Sequence, residues 1–301
     1  LLETYLNYVK NISAIDTKVD VMGGYSFQQF DVKKPAATTF FGNPTKPTTP
    51  SNNYEGRLVM LSFYGRAIFT IANKYVLTGS IRRDGTSRFY NNPEDTGNMW
   101  GTFAAASGAW KIKQENFLKD SNVVSDLKLR AGWGETGQQE VGGYYNSFAS
   151  YNVSDPTAQY GFGDQFYLMY RPTQYNPNLT WETTETINAG LDFGFADNRI
   201  TGAVDVYYKD TKDLLVDAVV ADGSNFSNRA WQNVGSFTTK GIELGINVAL
   251  VRTDDFNWNV NMNAATFQRR ITQLANNSDI FLGNNLSGTG TSPQILREGY
   301  T

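Results

Sequence analysis

Apolar and polar side chains alternate along ten segments of the chain. Clear examples are residues 57–71, 186–195 and 242–250, in which every second position on one side is apolar or glycine. A period of two places successive side chains on opposite faces of a β-strand. The pattern therefore predicts ten strands with one apolar and one polar face. The alternation is weaker in residues 3–12 and 100–112, which we also interpret as strands.

The connections between these segments alternate in length. Short connections are predicted near residues 13–16, 72–74, 113–124, 196–199 and 252–255, the third with a short helical turn. Long connections span about 31–56, 85–99, 137–183, 212–236 and 272–301, and they hold the prolines. Proline is unfavourable inside a sheet, so its confinement to these stretches supports the assignment. Transmembrane β-barrels have short turns at one end and long loops at the other.

Composition is consistent with a membrane barrel. Charged residues make up 18% of the chain and aromatic residues 14%, whereas about 25% charged residues is typical of soluble domains. The predicted polar face carries mainly Asn, Thr, Ser, Asp and Arg, which suits a lumen filled by water or by another protein element. A large soluble β-sandwich or solenoid is the alternative at this point.

Several kinds of chemistry are disfavoured by the sequence. The chain has no histidine and no cysteine, which removes Ser-His-Asp and Cys-His catalysis, disulfides and the common zinc sites. Glu182 and Glu185 could form a glycosidase pair, but ordinary surface charges explain them better. Residues 84–87 and 222–225 resemble fragments of calcium loops, although turn chemistry explains both. No basic run indicates nucleic acid. We therefore predict no enzyme activity, metal or cofactor.

Five segments, in order along the chain, resemble segments of SusC/RagA-type TonB-dependent transporters. They are YVLTGSIRRDGTSRF (75–89), LKLRAGWGETGQ (127–138), NPNLTWETTETINAGLDF (176–193), NVGSFTTKGIEL (233–244) and LREGY (296–300). Any one of these matches is weak, but five in the same order are specific.

The resemblance implies an all-β, antiparallel, 22-stranded barrel that crosses the outer membrane of a Gram-negative cell many times. It also implies an N-terminal plug powered through the TonB complex, a SusD-like surface lipoprotein acting as a lid, and a pairing of two such transporter–lid units. We expect residues 1–301 to be an internal part of one barrel domain. The plug, the first strands and the last strands would lie outside the chain.

The function implied is TonB-dependent import of an oligosaccharide or an oligopeptide. A passive porin-like or adhesin barrel and a soluble carbohydrate-binding β-protein are the alternatives. The candidate substrate contacts are aromatic residues of two long connections: Tyr144, Tyr145, Tyr151, Tyr160, Phe162, Tyr167 and Tyr170 in 137–183, and Trp231 in 212–236. The competing interpretation is that these rings pack the loops against their neighbours or against the lid.

Overall fold

The computed structural model describes residues 1–34, 54–91, 94, 96–153, 159–172, 174–219, 229–274, 279–282 and 294–300. In these residues no helix is long and apolar enough to cross a membrane. The helical elements described are single 3-10 turns at Ser13–Ile15, Ser87–Phe89, Gly97–Met99 and Ile112–Gln114. The strands are β1 (Leu2–Ile12), β2 (Thr17–Lys34), β3 (Tyr54–Ile71), β4 (Tyr75–Thr86), β5 (Trp100–Lys111), β6 (Val124–Gln138), β7 (Tyr151–Val153), β8 (Tyr160–Phe162), β9 (Gln165–Tyr167), β10 (Tyr170–Pro172), β11 (Glu182–Phe195), β12 (Ile200–Lys212), β13 (Leu215–Val219), β14 (Arg229–Asn233), β15 (Ser236–Arg252), β16 (Asn257–Gln273), β17 (Ile280–Leu282) and β18 (Gln294–Leu296).

Ten long strands form one antiparallel sheet. Their order is β1-β2-β3-β4-β5-β6-β11-β12-β15-β16, so each strand pairs with the next long strand along the chain. The other strands form four two-stranded sheets inside the long connections, namely β7–β10, β8–β9, β13–β14 and β17–β18. The prediction of ten strands is confirmed, including the two weakly alternating segments, which form β1 and β5.

The short connections are also confirmed. Ala196, Asp197 and Asn198 all have a positive φ, between 52° and 58°, which reverses the chain tightly between β11 and β12. The predicted helical turn in 113–124 is present, because the Lys119 amide donates to the carbonyl oxygen of Glu115 over 2.8 Å. All five turns join strands at the same end of the sheet, and the long connections therefore leave from the other end.

The prediction that turn chemistry explains residues 84–87 is correct for Thr86 and Ser87, because the Thr86 hydroxyl accepts from the Arg88 amide over 3.3 Å and a 3-10 turn begins at Ser87. It is wrong for Asp84 and Gly85, which lie inside a strand. β4 continues through Thr86, and Gly85 pairs with Trp100 on β5. A Cβ atom at position 85 would lie 2.9 Å from the Trp100 ring, so the glycine leaves room for that ring to cross the strand. The matching prediction for residues 222–225 lies outside the described residues.

The apolar face of the sheet is the exposed face. Ile81 on β4 is 57% exposed, whereas Ser62 on the polar face of β3 is 2% exposed and accepts a hydrogen bond from Arg82. Other exposed apolar side chains on this face are Phe63, Leu77, Leu129, Ile187, Val206, Ile242 and Leu244. An apolar surface of this extent is stable in contact with lipid, as on the outside of a membrane barrel.

The polar face carries a cluster of charges that spans three strands. Arg130 on β6 forms ion pairs with Asp192 on β11 (2.8 Å) and Asp205 on β12 (3.0 Å), and Lys128 also pairs with Asp192. Gly190 lies in register between Arg130 and Asp205. Because Gly190 has no side chain, the guanidinium group of Arg130 can cross β11 and reach Asp205.

One carboxylate holds the 113–124 connection against its neighbouring strands. Glu115 accepts hydrogen bonds from Lys74 Nζ (2.8 Å), Tyr75 Oη (2.8 Å) and Trp110 Nε1 (3.0 Å). The hydrogen bond from Lys74, followed by those from Tyr75 and Trp110, lowers the pKa of Glu115 to about 2. One donor from the 72–74 turn and two from strands β4 and β5 therefore stabilise the ionised form of this side chain.

Acidification is expected to loosen this connection. A carboxyl group whose pKa is lowered by folding contributes its stabilisation fully above its unfolded pKa of about 4.3 and loses it as the pH falls toward the folded value. Hydrogen exchange of residues 113–124, corrected for intrinsic rates, should therefore quicken between about pH 4 and pH 2. In a Glu115→Gln variant the exchange should already be fast at pH 7. A pH-dependent change that persists in this variant would assign the effect to another group.

Candidate functional site

A small hydrophobic core lies where the long connections leave the sheet. It is formed by side chains distant from one another in sequence, namely Phe89, Phe103, Val141, Leu179 and Trp181. The Trp181 ring meets Phe89 and Phe103 edge-on, with ring centroids 5.9 and 5.4 Å apart. The Trp181 indole also donates to the carbonyl oxygen of Met99 over 3.1 Å. The long connections are therefore joined to one another by a common core.

The hairpin β13–β14 packs onto the 139–181 connection. Asn233 exchanges two hydrogen bonds with the backbone of Thr180, at 2.9 and 2.8 Å. The side-chain amide of Asn176 donates to the carbonyl oxygen of Trp231 over 3.0 Å, and the Trp231 ring packs against the hydrophobic core. We call the described residues of 87–99, 139–181 and 213–235 the loop body.

Arg88 is the central polar group of the loop body. Its side chain is 5% exposed and donates to the carbonyl oxygens of Val141 (2.7 Å) and Gly143 (3.0 Å). It also pairs with Glu140 (3.0 Å), and its guanidinium lies 5.0 Å from the centre of the Tyr144 ring. These contacts fix the 140–144 stretch above the sheet. Arg88 was not among the predicted site residues, because a single arginine at the start of a loop carries no pattern.

Three of the eight predicted contact residues have packing roles. Tyr144 lies against Arg88, and Trp231 lies against the hydrophobic core. Tyr145 accepts a hydrogen bond from the Arg57 amide over 3.1 Å, and its ring meets Phe148 edge-on. The competing interpretation, that the aromatic rings pack the loops, therefore describes these three residues.

The other five predicted residues are exposed, and so is Tyr145, at 43%, beside its packing contacts. Tyr160, Phe162 and Tyr167 belong to the hairpin β8–β9, which turns at Gly163 with a φ of 61°. Phe162 is 70% exposed, and Phe166, which was not among the predicted residues, is 74% exposed. We call residues 160–167 the aromatic hairpin; Tyr151 and Tyr170 are exposed on the neighbouring strands β7 and β10. Exposed apolar surfaces of this kind mark interaction sites. Substrate contact by the eight residues stays a prediction.

The carboxylates of Glu182 and Glu185 have separate partners. Glu182 accepts a hydrogen bond from the Leu215 amide (3.0 Å), and Glu185 accepts one from the Trp133 indole (2.6 Å). Within the described ranges no group of three or more acidic side chains could hold a metal ion.

Comparisons with known proteins agree on the family. The family model described as TonB dependent receptor-like, beta-barrel matches residues 3–297. The TonB-dependent receptor SusC of Bacteroides thetaiotaomicron is 39% identical over 98% of this chain and 30% of its own length. The TonB-dependent receptor P3 of Formosa agariphila is 32% identical over 99% of the chain and 30% of its own length.

A solved structure supports the same family assignment. The RagAB peptide transporter superposes with a TM-score of 0.82 at 25% identity, covering 99% of this chain and 32% of that chain. The chain thus spans slightly less than a third of the relatives it matches. Its apolar outer face and alternating connections are those of an outer-membrane β-barrel wall, which excludes the soluble alternative. The chain belongs to the TonB-dependent receptor-like β-barrel family and is of the SusC/RagA type.

Proposed function

We propose that the protein containing this chain imports an oligosaccharide or an oligopeptide across the outer membrane, driven through the TonB complex. The observation that carries the proposal is the 39% identity to SusC, which extends over 98% of the chain and so includes the strands and the loops. The proteins that the chain resembles are named as receptors and transporters, which supports transport in preference to catalysis.

We further propose that residues 1–301 belong to one barrel domain that other strands complete. β1 and β16 each have one unpaired edge among the described residues. An open sheet edge is not tolerated in the hydrocarbon region of a bilayer. The polar face, with the Arg130 cluster and the asparagines of β16, would then line a lumen that holds the plug.

A SusD-like lipoprotein is the partner that we propose for the loop body. The RagAB structures are described as a peptide importer in open-open and closed-closed states. By analogy, two transporter–lid pairs would assemble, and each lid would close over a loop body. We propose that the exposed residues Tyr151, Tyr160, Phe162, Tyr167 and Tyr170 contact the substrate, while Tyr144, Tyr145 and Trp231 position the loops that carry them.

Nutrient uptake tests this function directly. Cells that lack the gene should lose growth on one glycan or peptide as sole nutrient, and the full-length gene should restore it. Uptake should stop when the proton gradient is collapsed or when TonB is removed. Uptake that continues without TonB would instead assign the protein to the passive porin-like class, and unchanged growth on every nutrient would favour an adhesin.

Replacing the aromatic hairpin rings should reduce uptake without unfolding the barrel. The triple change Tyr160→Ser, Phe162→Ser and Tyr167→Ser is expected to lower the uptake rate at limiting nutrient at least about tenfold, because each ring contributes contact area to binding. Phe117→Ser is the control, since Phe117 is 74% exposed but lies at the short-turn end. Equal uptake by the two variants would remove the hairpin from the substrate path.

A further inference from the structure

Two cations stand together on the apolar face of the sheet, near the end from which the long connections leave. Lys240 on β15 lies on the same face as Ile242 and Leu244, and Arg270 is its diagonal neighbour on β16. Diagonal neighbours on one face of a sheet lie about 7–8 Å apart, so two long side chains can converge on one group. Both side chains are exposed.

Neither cation forms an ion pair in the part of the chain that the structure describes. The acidic groups at this end of the sheet have other partners. Asp210, on the strand next to Lys240, pairs with Lys212 over 3.2 Å. Glu298, close to Arg270 in the sequence, accepts a hydrogen bond from the backbone amide of Leu274 over 2.9 Å. The two positive charges are therefore available to an anion from outside the described residues.

The pair lies at the level of the outer lipid head groups. Lys240 is four residues from Leu244, which is at the middle of β15, and this separation is about 13 Å along the strand. The apolar band of a membrane barrel is roughly 25 Å tall, so Lys240 lies near its outer boundary. A lysine or arginine at that depth extends its charged end to the interface while its aliphatic stem stays in the apolar region.

An apolar groove of about 660 Å³ begins beside Lys240 on the same face. Its rim includes Tyr208, which stands opposite Lys240 in register, together with Ile187 and Trp133 in the same row. Its floor is the next row toward the short-turn end, formed on four adjacent strands by Val206, Ala189, Ala131 and Gly108. Adjacent strands lie about 4.8 Å apart, so the groove extends about 14 Å across the wall, a length that suits a lipid acyl chain.

We propose that this surface binds one lipid of the outer leaflet that carries a phosphate on its head group. The phosphate accepts from Lys240 Nζ and from the guanidinium of Arg270, and an acyl chain of the same lipid lies in the groove between Tyr208 and Gly108. Charge-assisted bonds to phosphate are among the stronger hydrogen bonds, and basic groups beside an apolar surface are typical of sites for anionic lipids. The inference goes beyond nutrient import, because it concerns the outside of the wall.

The test uses the full-length transporter, purified from the outer membrane with its bound partners, and native mass spectrometry of its lipid adducts. The probes are lipid A, a phosphorylated glycolipid, and the same lipid A after enzymatic removal of its phosphates. Wild-type protein should bind one phosphorylated lipid at least about tenfold more tightly than the dephosphorylated form. The double change Lys240→Gln and Arg270→Gln should remove this preference. Affinity for the dephosphorylated lipid should stay at the wild-type value, which also shows that the variant is folded.

A substitution in the floor tests the groove separately. Ala131→Leu should weaken the binding of both probes, because its side chain fills the space between Ala189 and Gly108. Ala67→Leu is the matched control, since Ala67 lies on the apolar face of β3 outside the groove. Lys10→Gln is the control for charge, since Lys10 lies opposite Val19 on the same face but near the short-turn end. Both controls should bind the two probes as the wild type does.

Three results would overturn the proposal. The first is equal binding of the two probes by wild-type protein, which would make the groove a place for any lipid. The second is an unchanged preference for phosphorylated lipid in the Lys240→Gln, Arg270→Gln variant. The third is a loss of that preference in Lys10→Gln as large as in the double variant. Nutrient uptake by wild-type cells is a separate measurement, so a failure of this inference is distinguishable from a failure of the proposed function.

Discussion

Replacing Trp181 by alanine should open the loop body while the sheet remains folded. Trp181 is buried among Phe89, Phe103, Val141 and Leu179 and is the ring that joins them. Truncating a buried tryptophan to alanine costs about 3–5 kcal/mol, through lost burial and the cavity that remains. The substitution also leaves the carbonyl oxygen of Met99 without its indole donor.

The loss should be local because the sheet has its own interactions. The ten strands are joined by continuous backbone ladders, whereas the loop body depends on one small core and a few side-chain hydrogen bonds. Regions with few buried contacts open independently of the rest of a protein. Hydrogen exchange in residues 139–150 and 229–235 should therefore accelerate by two orders of magnitude or more, with the exchange of β11 and β12 unchanged.

Trp133→Ala provides the comparison for this experiment. Trp133 is also a tryptophan near the long-loop end of the sheet, but its side chain is 37% exposed and lies on the apolar face. This change should leave exchange in the loop body as it is in the wild type. If both variants open the loop body equally, or if neither does, the common core is not what holds the long connections together.

The strands could be predicted from the sequence because their signal is local. In β15, Ile242, Leu244 and Ile246 share one face, and Glu243 and Asn247 share the other. The alternation is visible from this short stretch alone. Turns such as residues 196–199 were predictable for the same reason. The strict alternation of short and long connections places all of these turns at the same end of the sheet.

The loop body could not be predicted because its contacts are distant in sequence and have no period. Phe89 and Trp181 are far apart along the chain, and nothing in either neighbourhood indicates the other. The extension of β4 through Gly85 depends on the Trp100 ring of the next strand. Arg88 donates to the backbone carbonyl oxygens of residues 141 and 143. Every residue has such a carbonyl group, so these contacts leave no signal in the sequence. The division of the tyrosines into packed and exposed groups follows from these same contacts.

A positive charge on the apolar face should destabilise the barrel, and the same charge on the polar face should not. Leu244 lies near the middle of β15, is 37% exposed, and stands in register with Val204 and Ala264. Leu244→Arg is expected to lower the free energy of unfolding by about 2–4 kcal/mol, the cost of an arginine facing lipid near the bilayer midplane. The measurement is reversible denaturant unfolding of the full-length transporter in phospholipid vesicles.

Asn247→Arg gives the matched case three residues further along the same strand. Asn247 stands between Thr201 and Asn261 on the polar face, where an arginine finds hydrogen-bond partners. Its replacement should change the free energy of unfolding by about 0.5 kcal/mol or less, as for other surface positions away from a core. A larger loss of unfolding free energy for Asn247→Arg than for Leu244→Arg would mean that the polar face meets lipid and the apolar face lines the lumen. The Arg130 cluster and the asparagines of β16 would then face lipid, where unpaired polar groups are strongly unfavourable. The order of these two effects therefore decides whether the polar face of this sheet lines the lumen through which a substrate would pass.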